Sequence, residues 1–488
     1  MSTRPAVGII GAGMAGIYLA SRLLERDYDV TLYEKHGDVG GTWLQNDYPG
    51  LHVDVLTRSY EFPERRSHTW SKRYAPGPEI ENYLRDFARA KGVYPRVRFH
   101  TEVASVTFRA EGWDLETTTG ETARHDIVVA ATGFLRIPKK PRIPGMESFA
   151  GASFHSSEWD HSLRLDGKRI GVIGMGSSGI QIVSEMGRQR REVTHFVRTP
   201  QWIQLRDNPK ITWLERTLLR IPALSRYWDA RMVRMRAAHE GPETWRLEPG
   251  PDRDAVNARF HRDLEREIPD PVLREQLTPK EALGCKRIPK SPDYYRVVQQ
   301  PNVHPVFGGI DHIEPDGLVD EHGTKHELDV IVYATGFDTH AYMRPMEVTG
   351  ADGVTVEELW RDSVFSYRGV GLPGMPNLFL LNGPFAPINS LAIPLCLKDE
   401  VGYLLRLFEV IERDGTPLAP THEATERFVD SIRKQLPNTT YSLCDNWYTD
   451  ASGTQVLWPF TKAEHARQYE PLELADFQTF GSVRSRAG

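Results

Sequence analysis

Short runs of uninterrupted apolar residues recur along the chain, at 6–10 (AVGII), 127–131 (IVVAA), 170–173 (IGVI) and 330–334 (VIVYA). A strand with one solvated face alternates apolar and polar positions, so unbroken runs predict strands covered on both sides, as in a parallel sheet. The first and third runs each lead into a glycine-rich turn, a segment with apolar positions at helical spacing, and a second short strand, VTLY or VTHFV. The other two share the ending ATGF and read as buried strands closing on a Thr-Gly turn, where the chain passes from an inserted element to a main sheet. Residues 200–280 lack strand periodicity and predict helices. Their tryptophans Trp202, Trp213, Trp228 and Trp245 are either core positions or part of a helical cap. The uncharged run 369–397 is broken by Pro373, Pro376, Pro384, Pro387 and Pro394, which predicts strand and buried loop rather than a membrane-spanning helix.

The glycine-rich turns carry the chemistry. In GIIGAGMAG, Gly11, Gly13 and Gly16 stand where a dinucleotide fold needs a tight turn, close backbone approach to a pyrophosphate, and close packing of helix on strand. The next strand ends in Glu34, 18 residues past Gly16, placed to accept hydrogen bonds from ribose hydroxyls. Gly174, Gly176 and Gly179 repeat the pattern, with Ser177, Ser178 and Gln181 in the following helix. Here the second strand ends at Arg198 and Thr199. A carboxylate at that point repels a 2′-phosphate, whereas a guanidinium and a hydroxyl bind one. Two nucleotides follow, one without and one with a 2′-phosphate, and the simplest pair is FAD and NADPH.

The predicted fold is α/β, with two Rossmann-like dinucleotide-binding domains, the NADP domain inserted in the FAD domain. Residues 1–148 form the first part of the FAD domain, and 149–334 the NADP domain with a helical insertion at about 200–280. Residues 335–488 form the second FAD part and a C-terminal segment. With 488 residues, 40% of them apolar, there is material for two to three cores. The net charge of −6 gives no overall attraction to nucleic acid or anionic lipid. Residues 188–236 depart from it, with twelve Lys or Arg against four acids, either a solvated helical surface or a positive field for a phosphorylated ligand. Cys285, Cys396 and Cys444 are too few and too scattered for a disulfide framework or a metal cluster, which predicts a reducing cytoplasm and no metal. Residues 17–100 contain no cysteine, so a flavin disulfide reductase is excluded. The first strand begins too early to leave room for a signal peptide.

Three further motifs resemble the Baeyer-Villiger monooxygenases, flavoproteins related to the flavin-containing monooxygenases that oxidise nitrogen and sulfur. FAGASFHSSEWD at 149–160 holds Phe149, Gly151, His155, Trp159 and Asp160 at the spacing FxGxxxHxxxWD. GGTWLQNDYPGLHVD at 40–54 matches a second family pattern through Gly41, Trp43, Tyr48, Pro49, Gly50 and Asp54. KRIPKSPDYYRVVQQPNV, from Lys286, is similar to the family's active-site arginine segment, and the likeness covers most of the chain.

The resemblance implies an enzyme that inserts one atom of O2 into a small-molecule ketone through a flavin C4a-peroxide at the expense of NADPH, giving an ester or lactone. Oxidation of an amine or sulfide is the alternative. It assigns catalysis to Arg287 and Asp54: a permanently charged guanidinium beside the reacting oxygen stabilises developing negative charge, and the carboxylate orients it. Without the resemblance, the two residues read as an interdomain salt bridge. It further implies flavin contacts from Gly41, Thr42, Trp43 and Asp54, a 2′-phosphate contact from Lys286, and a structural joint at His155 locked by Trp159 and Asp160. The resemblance also implies a flavin contact from Asn389, although GPFAPINS departs here from the Gly-Pro-Asn-Thr-Gly that many relatives carry. TDASG follows Trp447 and Tyr448 where cyclohexanone-type enzymes have Gly-Ala-Asn, which favours an aryl or open-chain ketone.

Overall fold

Two five-stranded parallel sheets carry the two glycine motifs in this computed structural model, which describes residues 4–109, 112–240, 246, 248–387 and 392–481. In the first sheet β1 (Ala6–Ile10) lies between β2 (Asp29–Tyr33) and β3 (Ile127–Ala130), with Leu378–Leu380 and Val97–Arg98 at the edges. In the second, β4 (Arg169–Ile173) lies between β5 (Glu192–Val197) and β6 (Val330–Tyr333), with Val303–Phe307 and Ala152–His155 at the edges. Every residue of β3 and β6 is buried, which is why these runs contain no polar alternation. The chain builds the second sheet after β3 and returns to the first at Leu378–Leu380.

α1 (Met14–Leu24) and α2 (Ser177–Arg188) follow the two glycine turns. Gly11 and Gly174 adopt φ of 104° and 113°, which side chains rarely tolerate. A Cβ on Gly16 or Gly179 would lie 2.0 Å from the carbonyl oxygen of Gly11 or Gly174, so each helix seats on its turn only because that carbon is absent.

The 200–280 region carries a two-residue strand, Gln204–Leu205, and then helices: α3 (Trp213–Leu218), α4 (Pro222–Glu240), Pro251–Glu267 and Pro271–Leu277. Their tryptophans have different fates. Trp202 packs with Val256, Phe260, Leu283 and Ile288, Trp228 lies under the Arg73 guanidinium, and Trp213 is 76% exposed. Trp245 lies outside the described residues.

The structure corrects several expectations. Residues 369–397 do include the strand Leu378–Leu380, but α5 (Ile393–Asp414) begins inside that run. Pro394 stands in its first turn, where a missing N–H leaves no hydrogen bond unmade, so this proline opens a helix. Among the described residues no helix is long and apolar enough to cross a membrane. Cys285 and Cys444, which looked scattered, form a disulfide with Cα atoms 5.9 Å apart, while Cys396 is free and buried. Their separation of 159 residues hides the pairing from any reading of spacing. An antiparallel meander, Val103–Arg109, Gly112–Thr117 and Thr122–His125, was not anticipated, and its core residue Trp113 donates its indole N–H to the Pro376 carbonyl at 2.7 Å.

Candidate active site

The site is assembled along a seam between the two sheets. After β2 the chain turns through Gly41, at φ 55°, into a short helix, Thr42–Gln45, and then reaches across to α2. There the buried Tyr48 hydroxyl donates to Gln181 Oε1 at 3.0 Å and accepts from Ser178 Oγ at 3.1 Å. Gln181 Nε2 in turn donates to the His52 carbonyl at 3.1 Å. Gly50 makes the approach possible, since a Cβ there would meet the Gln181 carbonyl at 2.7 Å. Ser178 and Gln181, expected as nucleotide contacts, thus also latch the two halves together.

Two residues past that latch, Asp54 meets Arg287. The guanidinium Nη2 donates to Asp54 Oδ2 at 2.6 Å, with the Arg287 side chain 37% and the Asp54 side chain 17% exposed. Burial by itself would raise the Asp54 pKa, but the charges of Arg287 and then Lys290 overcome it and hold the carboxyl at about 2. The carboxylate in turn pushes the Arg287 pKa further up, against the opposing effect of burial, so the cation persists at any working pH. The Tyr448 hydroxyl also hydrogen-bonds Arg287. Trp43 stands nearby, its indole N–H donating to the Tyr60 hydroxyl at 3.2 Å. Asp54, Arg287, Trp43, Tyr448 and Trp447 all line one cavity of about 1820 Å³. That is well beyond the roughly 300–1,000 Å³ of a site for one small molecule.

Both glycine turns open into the same cavity, and their residues fit nucleotides. α3 begins with a side-chain capping box from Thr212, whereas the caps of α1 and α2 are Gly13 and Gly176, with no side-chain cap. Their first-turn amides are therefore left for a ligand anion. At the end of the first motif Glu34 is 5% exposed; Oε2 accepts the Ala12 N–H at 2.8 Å and Oε1 the His36 N–H at 2.9 Å. Each oxygen retains lone pairs for a hydroxyl donor. Arg198, directly after β5, is exposed, and it and Thr199 line the cavity beside Gly174 and Gly176.

Other expected residues are placed differently. Lys286 lines the cavity, but its ammonium is 2.7 Å from Glu281 Oε1, so that carboxylate competes with any phosphate. His155 is fully buried; Nε2 donates to the Gly336 carbonyl at 2.9 Å and Nδ1 lies 2.8 Å from Ser157 Oγ, tying the motif to the turn after β6. Burial lowers its pKa and keeps it neutral. Trp159 packs edge-on against Phe154, and Asp160 closes its own turn by accepting from the Ser162 amide and hydroxyl at 2.9 and 2.6 Å. Asn389 lies outside the described residues. Sequence reasoning did not assign Tyr448 to the arginine or Lys290 to Asp54. The first is 161 positions from Arg287 and gives no local signal, whereas the second was within reach, three residues past Arg287.

With this geometry in view, the comparisons agree with one another. Residues 4–211 match a family model described as flavin-binding monooxygenase-like. An uncharacterized monooxygenase of Mycobacterium tuberculosis is 37% identical, covering 99% of this chain and 98% of the relative. A Baeyer-Villiger monooxygenase of Streptomyces coelicolor is 34% identical, covering 99% and 94%. Among solved structures, the closed form of cyclohexanone monooxygenase superposes with a TM-score of 0.89 at 26% identity, covering 99% of this chain and 100% of that one. The OTEMO complex with FAD and NADP superposes with a TM-score of 0.87 at 26% identity, covering 98% and 100%.

Proposed function

Because the chain belongs to the Baeyer-Villiger flavin-binding monooxygenases, we propose that it uses FAD and NADPH to insert one atom of O2 into an aryl or open-chain ketone, releasing an ester. The observation that carries this reading is the Arg287–Asp54 pair, a cation fixed by a 2.6 Å hydrogen bond inside the cavity that both glycine turns share.

In this reading Gly11, Gly13, Gly16 and Glu34 hold the FAD pyrophosphate and ribose, and Gly41, Thr42, Trp43 and Asp54 border its ring. Gly174, Gly176, Ser177, Ser178, Gly179 and Gln181 receive the pyrophosphate of NADPH, and Arg198 and Thr199 its 2′-phosphate. Lys286 assists there once it leaves Glu281. When bound, the two cofactors supply the electrons that activate O2. Arg287 stabilises the negative charge that develops on oxygen during attack on the ketone carbonyl, and its raised pKa lets it do so without giving up a proton. Asp54 and Tyr448 fix where that charge sits, so little reorganisation remains to be done during reaction. Trp447 and Leu457 give the cavity an apolar lining that suits a ketone.

The test is product analysis with purified FAD-loaded protein, NADPH and a panel of aryl, open-chain and cyclic ketones together with sulfides. Ester formed in proportion to NADPH consumed supports the reading. Oxygenated sulfides with no ester from any ketone would replace it with heteroatom oxidation.

A further inference from the structure

The helices α3 and α4 carry a surface that the reaction does not use. Trp213, Leu214, Leu218, Ile221, Leu224 and Tyr227 are each between 40% and 76% exposed. Large apolar side chains left exposed so close together along the chain are the composition of an interaction site. The polar groups around them are sorted by sign. Arg220, Arg226, Arg231 and Arg234 are exposed, while the two acids of residues 212–234 are engaged by inward-facing partners. Glu215 closes the Thr212 capping box and lies 3.6 Å from Arg73, and Asp229 pairs with the buried Arg58 at 2.9 Å. Along α4 the inward stripe is Ser225, Asp229 and Met232, at helical spacing, with Ser225 also bonded to Arg58 at 2.6 Å. Leu224, Tyr227, Arg231 and Arg234 form the opposite stripe, so the outward face is apolar and cationic.

We infer that this face is a peripheral anchor that seats α3 and the start of α4 in the headgroup layer of an anionic lipid bilayer. Trp213 and its apolar neighbours enter the interface, and the four arginines engage lipid phosphates. An aromatic and aliphatic stripe bordered by arginine is the pattern that lies in a membrane surface without spanning it. Charge decides against a second copy of the chain as occupant. A twofold contact brings the same patch from both copies together and would set arginines against arginines. An anionic surface complements these arginines, although the chain as a whole carries a net charge of −6, so the contact is local to this face.

The experiment is co-sedimentation of full-length FAD-loaded protein with vesicles of phosphatidylcholine alone or mixed with phosphatidylglycerol. Two exposed-site variants are compared, Trp213→Ser/Leu218→Ser/Ile221→Ser and Arg220→Gln/Arg231→Gln/Arg234→Gln, with flavin absorbance and NADPH oxidation as folding controls. We expect binding that requires phosphatidylglycerol, weakens with salt, and falls about tenfold or more in each variant. Absence of binding to anionic vesicles at low salt, or binding unchanged in the variants, overturns the inference. A dimer that the apolar triple variant dissociates overturns it in favour of self-association.

Discussion

Replacing Asp54 separates the charge of Arg287 from its placement, and the structure sets the size of the effect. Asp54 is held at about 2, against 3.8 for an unperturbed carboxyl, so after burial is subtracted its surroundings favour the charged form by a net of about 2.4 kcal/mol. Asp54→Asn keeps a hydrogen-bond acceptor and loses that charge; the arginine stays a cation but loses part of its orientation, so the oxygen-insertion step should slow by about tenfold, less than on removal of the cation itself. Arg287→Ala removes the cation itself and should cost about a hundred- to a thousandfold at the same step. Neither change touches the residues expected to bind NADPH, so reduction of bound FAD under anaerobic conditions should stay within about threefold of the parent. The assay is stopped-flow flavin reduction without oxygen, followed in air by counting ester and hydrogen peroxide per NADPH. Electrons that no longer reach ester should appear as peroxide, more completely in Arg287→Ala. The sign of the pH effect also follows. A depressed carboxyl contributes stability that is present above its ordinary pKa and is lost as pH falls through about 2, so this pair should stay intact throughout pH 5–9. An Arg287→Ala enzyme that forms ester at the parental rate, or an Asp54→Asn enzyme more damaged than it, would refute the reasoning.

Three further outcomes are expected. Arg198→Ala should weaken NADPH binding about ten- to hundredfold and leave NADH nearly unaffected, a loss of about 1.5–3 kcal/mol of charge-assisted hydrogen bonding; kinetic constants for both coenzymes decide it, and equal losses count against the assignment. Cys444→Ser should remove about 2–4 kcal/mol of stability, and a dithiol reductant should lower the Tm of the parent but not of the variant. Burial, with a smaller push from Asp399, raises the Glu400 pKa to about 7 against the Asn382 amide that lowers it. The stability it contributes is complete below about pH 4.5 and lost as pH rises through 7, about 3 kcal/mol in all, so the parent should melt earlier at pH 9 than at pH 6 while Glu400→Gln shows no such decline.

What the sequence revealed was what is local. The glycine turns, the two ATGF strands and the acid-to-arginine change between Glu34 and Arg198 are encoded within about thirty residues each, because strand, turn and helix are contiguous in a βαβ unit. Asp54 and Arg287 were legible only through family likeness, since nothing in either segment encodes a contact 233 positions away. The disulfide and the Tyr448 contact to Arg287 escaped for the same reason. Val103–Arg109 escaped for another: its exposure alternates irregularly about a bulge near Ser105, so neither a strand nor a helix period stands out. Pro394 misled because a proline reads as a breaker unless the helix start is already known.

The bond between Cys285 and Cys444 has a kinematic consequence. It pins the stretch that carries Arg287 to the stretch that carries Tyr448, and a disulfide keeps its two Cα atoms within about 7 Å of each other whatever the rest of the molecule does. The two stretches can pivot about that point but cannot slide apart, so arginine and tyrosine travel as one body. Widening of the cavity must then be taken up across the opposite wall, where non-covalent contacts, the Asp54–Arg287 ion pair and the hydrogen bonds from Tyr48 to α2, join the two sides. Those contacts are reversible where the disulfide is not, so the covalent pin fixes the register of the Arg287 and Tyr448 stretches against each other.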